Sequence, residues 1–232
     1  MNAPIPDPNR TDSRNHTSCV GGVTYKNTGI TAMQLKRNKL EANKTWVFTD
    51  NYILCMGSDI HADSTATIIT SIDQRFSKGE IWSDDNKRFF HDNTGYIILQ
   101  ADTCIALTED KEGQWKDFMG MYKPKILKNR LFSIHLRHRK DIPSSYIYLI
   151  LPGTTQQKVH NFDNNSIHVI RNDKEAQAVV IKDLCYVSVY QPTQIQIRNQ
   201  NSIMISKPGT YIIHTKEGEF TAKRLFETEK NI

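Results

Sequence analysis

The chain has 232 residues, 38% of them hydrophobic and 24% charged, an ordinary balance for a globular protein and long enough for one large or two small domains. A formal net charge of +5 is too small to mark a nucleic-acid binder, and no apolar run reaches the roughly 18 residues of a membrane span, so neither nucleic acid nor membrane is an expected partner. Frequent Ser, Thr, Asn, Ile and Tyr with scarce Ala favour strands and turns over helices.

Residues 1–18 read as a polar tail or linker, interrupted by Pro4, Pro6 and Pro8. The tail has no apolar core of the kind a signal peptide carries, so as written nothing directs the chain out of the cytoplasm. Thr45 to Met56 is apolar and is split into a hairpin by Asp50-Asn51. Thr65 to Ile72 alternates, with Ala66, Ile68, Thr70 and Ile72 on one face. Gly95 to Leu107 reads as two strands around Ala101-Asp102, and Gln114 to Met121 is the one candidate for a short helix. Arg130 to Arg139 alternates again, and Tyr146 to Leu151 is a run of strand formers closed by Pro152-Gly153. Residues 153–165 are polar and turn-rich, the best candidate for a linker. Short strands then recur at 166–170, 177–181, 186–190, 193–198 and 202–206. Pro208-Gly209 fits a type II turn and Glu217-Gly218 the tip of a hairpin. The expected fold is all-β: a large antiparallel β-sandwich over 19–155 and a smaller C-terminal β-sandwich over 156–232.

Chemistry-bearing motifs are sparse. No Gly-rich phosphate loop, GxSxG elbow, HExxH or EF-hand loop is present, and no cofactor or metal is expected. Cys19, Cys55, Cys104 and Cys185 match no CxxC spacing and read as free thiols that behave as small hydrophobes. On a strand, His135 and His138 point to opposite faces, which argues against a shared metal and for one exposed and one half-buried ring. His91-Asp92 reads as a turn that bonds its own backbone. Of the three tryptophans, Trp46 reads as buried, while Trp82, beside Ser83, Asp84 and Asp85, is the expected exposed platform for a sugar ring. Met121 to Lys140 carries seven Lys and Arg residues and no acid. Within it Phe132, Ile134 and Leu136 share one face and His135, Arg137 and Arg139 the other, a cationic ridge suited to a polyanion or else a solvated strand face.

Several segments recur in a recognisable order: Gly21-Gly22-Val23, Gly29 to Met33, Lys44 to Phe48, Ile53 to Ile60, and a run ending at Asp73-Gln74. They are followed by His91-Asp92 with Gly95-Tyr96, then Gly113-Gln114-Trp115, His138, and Tyr146-Ile147-Tyr148 leading to Leu151-Pro152-Gly153. This series resembles the central β-sandwich of family 8 polysaccharide lyases, the group of chondroitin AC, hyaluronate and xanthan lyases. The resemblance covers about nine-tenths of the chain and is weaker after the linker, where only the pattern of strands is similar. Thr45, Val47 and Thr49 stand where the family usually has Ser or Phe, and Arg139 follows His138 where it often has Gly.

The resemblance implies a galactose-mutarotase-like super-sandwich portion followed by the small C-terminal sandwich. It also implies an acidic polysaccharide as partner, and a secreted or periplasmic setting. The family's catalytic Asn, His, Tyr and Arg lie in an N-terminal α-toroid, and an assisting Glu and Asn lie ahead of the GGV segment; no residue here aligns with them. The implied role is the β-sandwich part of a glycosaminoglycan-type lyase, not catalytic alone, with a separate α-toroid lyase domain as a further partner. The alternatives are a free-standing carbohydrate-binding module and an enzyme with an unrecognised site.

Overall fold

The computed structural model describes residues 17, 19–37, 39–63, 67–117, 119–198, 201–215 and 220–223. Strands β1 (Val20–Tyr25), β2 (Thr28–Arg37), β3 (Leu40–Phe48) and β4 (Ile53–Ala62) form an antiparallel meander. β5 (Ile69–Phe76) leaves that sheet, while β6 (Trp82–Asp84), β7 (Arg88–His91) and β8 (Thr94–Gln100) return to it. β9 (Thr103–Gly113) and β10 (Leu127–Arg137) make a long hairpin beside β5, and β11 (Ser144–Pro152) inserts between β4 and β8. A short helix, α1 (Gln156–His160), precedes β12 (Ile167–Asn172), β13 (Ala176–Ile181) and β14 (Leu184–Val189). The last strands are β15 (Thr193–Arg198), β16 (Asn201–Ile205), β17 (Gly209–His214) and β18 (Phe220–Lys223). Four sheets result: eight strands in the order β1-β2-β3-β4-β11-β8-β7-β6, three as β5-β10-β9, five as β12-β13-β14-β17-β18, and the pair β15-β16.

The sheets stack in four layers, and the side-chain pattern of β11 explains why. Tyr146 and Tyr148 point to one face, where they meet Phe132, Ile134 and Leu136 of the three-stranded sheet. Ile147, Leu149 and Leu151 point to the other, where they meet Val179, Ile181, Tyr186 and Ile212 of the five-stranded sheet. A strand covered on both sides needs no polar face, which accounts for the unbroken apolar run. β13 is buried along its whole length for the same reason, because Ala178 and Val180 turn away toward Ile195, Ile197 and Ile205 of the outermost pair. Burying one such aliphatic side chain contributes roughly 1.5–3 kcal/mol.

Polar groups tie the eight- and five-stranded sheets together. The Thr45 and Tyr190 hydroxyls lie 2.6 and 2.8 Å from Gln177 Oε1, and Gln177 Nε2 donates to Asn172 Oδ1 at 2.8 Å. Asn172 Nδ2 donates in turn to the carbonyls of Gly57 and Tyr146, each at 3.2 Å. Thr45 and Gln177 are fully buried, so this seam must be complete to be tolerated. Gln177→Leu should leave Asn172 Oδ1 without its donor, while the Thr45 and Tyr190 hydroxyls keep each other at 3.0 Å and Tyr190 keeps the Lys44 carbonyl at 3.2 Å, and should cost about 1–3 kcal/mol. A urea midpoint that stays within experimental error of the parent would refute this.

Several expectations change. Among the described residues the strand foreseen from Thr65 runs from Ile69, and Thr65 and Ala66 lie outside them. Among the described residues, which leave out Phe118, the helix foreseen at Gln114–Met121 is a 3-10 turn at Trp115–Asp117. Residues 153–165, expected to be a polar connection, hold α1 instead. Thr155 caps it, Val159 is fully buried, and a Cβ on Gly95 would lie 2.3 Å from Val159 Cγ2. Arg88 closes the helix by donating to the carbonyls of Val159 (2.8 Å), His160 (2.5 Å) and Phe162 (3.1 Å). Gly209, expected in a turn, opens β17 opposite Val189. The Glu217-Gly218 tip lies outside the described residues.

Candidate functional site

Proton-transfer chemistry needs a tyrosine, histidine or carboxylate open to a substrate. Two internal clusters hold the strongest such groups. The first depends on a β-bulge at Ile72, where the pairing of β5 with β10 slips by one residue. Continued alternation would send Gln74 and Phe76 inward; the slip sends Asp73 and Arg75 inward and leaves Phe76 exposed. Arg75 Nη2 donates to the Tyr96 hydroxyl at 2.7 Å and to the His91 carbonyl at 2.9 Å, while its Nε lies 2.9 Å from Asp73 Oδ2. The Tyr96 hydroxyl donates to Asp73. Burial and the Asp73 carboxylate push the Tyr96 hydroxyl well above the usual phenol range. His91 was expected in a turn. The turn is made by Asp92 and Asn93, at φ 46° and 59°, and the His91 ring is sealed inside, accepting from the Lys78 N–H at 3.0 Å.

The second cluster surrounds His138. Its Nε2 is 2.7 Å from Thr70 Oγ1, and its ring lies nearly parallel to Tyr146 at 5.9 Å. Asp102 accepts from the Ser144 hydroxyl and from the Arg139 N–H, and lies 4.0 Å from His138 Nδ1. The serine bonds the carboxylate and not the imidazole, so no nucleophile–base pair is formed with it. Burial holds the imidazole of His138 below its ordinary range. His138 is thus buried outright, where a half-buried or exposed ring was expected; His135 is the partly exposed one.

The foreseen ridge lies on the outer face of the three-stranded sheet. Phe132, Ile134 and Leu136 are buried beneath it, as alternation required. The sequence of 121–140 is free of acids, but register brings acids in from β9. On the face of the ridge Glu109 pairs with Lys111 at 2.9 Å, whereas Lys128, paired with Glu112, and Arg130, opposite Asp110, share the alternation of Phe132 and lie on the other face. Arg139 lies past the end of β10 and is forked onto Asp141, at 3.2 and 2.7 Å. Desolvation first, and Arg137 second, hold His135 below its ordinary range, favouring a neutral ring. Arg137 therefore supplies the open positive charge of this face. It stands between Ile69 of β5 and Thr103 of β9, beside His135 and Ile105.

Trp82 is half-buried at the edge strand β6, where its indole and the His160 ring meet edge to face at 5.8 Å. With Gln156, Gln157 and His160 it lines a shallow cleft of about 490 Å³. Trp46 is also only half-buried, and the most open indole is Trp115, 60% exposed. Its neighbours Gln114, Lys116 and Asp117 are the polar surroundings that could have singled it out. All four cysteines are free thiols; burial pushes Cys55 and Cys185 up to about 12 and Cys104 to about 11, which makes them poor nucleophiles.

Residues 2–163 match the family model described as polysaccharide lyase family 8, super-sandwich domain. Chondroitinase-AC of Pedobacter heparinus is 23% identical over 181 residues, which cover 71% of this chain and 26% of that protein. Hyaluronate lyase of Thermasporomyces composti is 23% identical over 216 residues, covering 82% of this chain and 27% of that protein. The chain thus spans about a quarter of the length of either relative. A solved chondroitinase AC lyase structure superposes with a TM-score of 0.83 at 21% identity, over 92% of this chain and 35% of the other. The layered all-β architecture and the extent of the match together place the chain in polysaccharide lyase family 8, with 2–163 as its super-sandwich domain.

Proposed function

We propose that the chain is the β-sandwich part of a glycosaminoglycan-type lyase, which holds an acidic polysaccharide and does not cleave it by itself. The supporting observation is the burial of the acid–base groups in its two internal clusters. Cleavage beside a uronate by β-elimination removes a weakly acidic proton next to the carboxylate. That step needs a base and a proton donor within hydrogen-bond reach, and donors on the developing enolate charge. Tyr96, Tyr146, Tyr148, His91 and His138 are all buried. Tyr96 and both histidines are engaged by internal partners, and burial raises Tyr146 and Tyr148 beyond the usual phenol range. None of these five is presented to a polymer, and on this reading the reacting set comes from an α-toroid segment, on this or another chain.

The purified 232 residues should give no steady rise in the ultraviolet absorbance of unsaturated uronate when incubated with chondroitin or hyaluronan. A rise proportional to protein, surviving removal of contaminating lyases, would show a catalytic set within the chain.

Polymer contact is assigned to the outer face of the three-stranded sheet, at His135 and Arg137, with Arg139 at its margin. The relatives are named for chondroitin and hyaluronate, both acidic polymers. Binding there should weaken steeply as salt rises, since exposed charges are screened within about 10 Å at 0.1 M ionic strength. Arg137→Ser should weaken it more than Arg139→Ser, because Asp141 already occupies the Arg139 fork. Equal effects of the two substitutions, or affinity indifferent to salt, would move the contact elsewhere.

A further inference from the structure

Three hairpin turns and the end of a fourth strand meet at one end of the stacked sheets. They are the β1–β2 turn at Lys26, the β3–β4 turn at Thr49–Tyr52, the β13–β14 turn at Lys182-Asp183, and His214 closing β17. Between them lies a cleft of about 470 Å³. Small-molecule sites typically measure about 300–1,000 Å³.

We propose that this cleft binds a short saccharide through aromatic contact and hydroxyl hydrogen bonds, at a site separate from the polymer-contacting face of the three-stranded sheet. The assignment takes its ligand class from the saccharide-binding reading above and adds a second site to it.

The walls suit an amphiphilic ring. Half-buried Tyr25 and Tyr52 are the rings open to it, Tyr186 being only 2% exposed; both open rings are held by a second ring, and the Lys26 ammonium lies over that of Tyr25 at 5.2 Å. Tyr25 meets His214 edge to face at 4.8 Å, and Tyr52 meets Phe162 in the same way at 5.5 Å. Rings held in one orientation lose little freedom when a sugar face settles on them. Desolvation pushes the Tyr52 hydroxyl up to about 12, so it remains a proton donor across the neutral range.

The polar groups also fit hydroxyls better than net charge. Two ammonium groups, Lys26 and Lys182, and two carboxylates, Asp50 and Asp183, line the same cleft. Equal numbers of opposite charges give little attraction for a polyanion. They do offer donors and acceptors to a ring that carries both kinds of group, as a hydroxyl does.

The backbone adds a separate observation. Lys26 and Lys182 sit in the left-handed region, at φ 53° and 55°. Glycine or asparagine takes that conformation with less strain in a two-residue hairpin. Lys39, at the β2–β3 turn and outside the cleft lining, takes the same conformation at φ 65°, so what distinguishes Lys26 and Lys182 is that both line one cleft, where a glycine would fit the backbone at least as well.

The test follows from that fit. Lys26→Gly and Lys182→Gly should leave stability equal to or above that of the parent, while weakening saccharide binding about tenfold in the double variant. Binding would be read from the amide NMR signals of Lys26, Asn51 and Lys182 during titration with N-acetylglucosamine and with a chondroitin disaccharide. The expected result is saturable shifts at these turns that do not change with salt, and that are also lost in Asp50→Asn. Saturable shifts that persist undiminished in the glycine variants, or no shifts at these turns, would overturn the proposal. A parallel titration with chondroitin polymer reports on the β10 face. Shifts at His135 and Arg137 without any at the turns would sink the cleft and leave the polymer-holding role standing. Silence at both places would sink both.

Discussion

Gly57→Ala should destabilise the protein by about 1–3 kcal/mol, and more if the surrounding layers cannot shift. Gly57 lies in β4 directly opposite Tyr146 of β11, and the tyrosine ring folds over it. A Cβ at this position would fall 2.2 Å from Tyr146 Cε1 and 2.4 Å from Cζ. The ring has nowhere to go. It is 2% exposed, with His138 stacked at 5.9 Å and Tyr148 at 5.4 Å. Moving the backbone instead would pull on the Gly57 and Tyr146 carbonyls, which both accept from Asn172 and so anchor the five-stranded sheet. Tyr146→Leu removes the colliding ring atoms, so the two substitutions should couple favourably by about 0.5–3 kcal/mol in a double-mutant cycle read by chemical denaturation. Costs that simply add would mean that Gly57 is needed for some reason other than the ring.

The same crowding marks where the sequence is legible and where it is not. Strands announce themselves through local pattern: alternation exposed the buried side of β10 at Phe132, Ile134 and Leu136, and Asp50-Asn51 marked the turn between β3 and β4. Layer order is not local. The apolar runs of β11 and β13 say that both faces are covered, but not by what, so the sharing of one central eight-stranded sheet emerges only in three dimensions. The bulge at Ile72 reverses which residues of β5 face inward, and a period-two reading cannot register a one-residue slip. That slip is why Asp73 and Arg75 reach Tyr96. The helix α1 is five residues long, too short to persist on propensity, and is held by Arg88 and by Val159 against Gly95. The ridge was legible as charge on one strand; that Glu109 and Lys111 of β9 share its face depends on the register between β9 and β10. Trp82 illustrates the same limit, since polar neighbours in sequence did not keep its ring from packing beside His160.

Acidification from neutral pH should destabilise the fold well before its carboxylates titrate. His91 and His138 are both buried, and both are held below the ordinary imidazole range. For His91 the main cause is burial, with the Arg75 guanidinium adding to it and Asp92 and Asp73 opposing. For His138 burial again leads, Asp102 opposes it, and Lys44 adds to it. In the unfolded chain each imidazole titrates near 6.5. As pH falls through that value, the unfolded state takes up protons that the folded state refuses. Stability therefore drops, with a slope bounded above by about 1.4 kcal/mol per pH unit for each histidine. The effect is absent above the unfolded value and ends only when the folded rings are themselves protonated. Glu41 and Glu175, whose folded carboxyls are lowered by Lys36 and Arg171, lose their contribution only near and below pH 4.5, so the window above pH 5 belongs to the histidines. His135 is also lowered, but it is partly exposed and contributes less. Urea midpoints between pH 7.5 and 5 would measure the slope. His138→Gln, which places an uncharged amide near Thr70, should reduce it by roughly half, one of two contributing rings having been removed. A flat wild-type profile above pH 5, or a variant that keeps the full slope, would mean that the folded protein accepts these protons and that neither buried ring is held neutral by its surroundings.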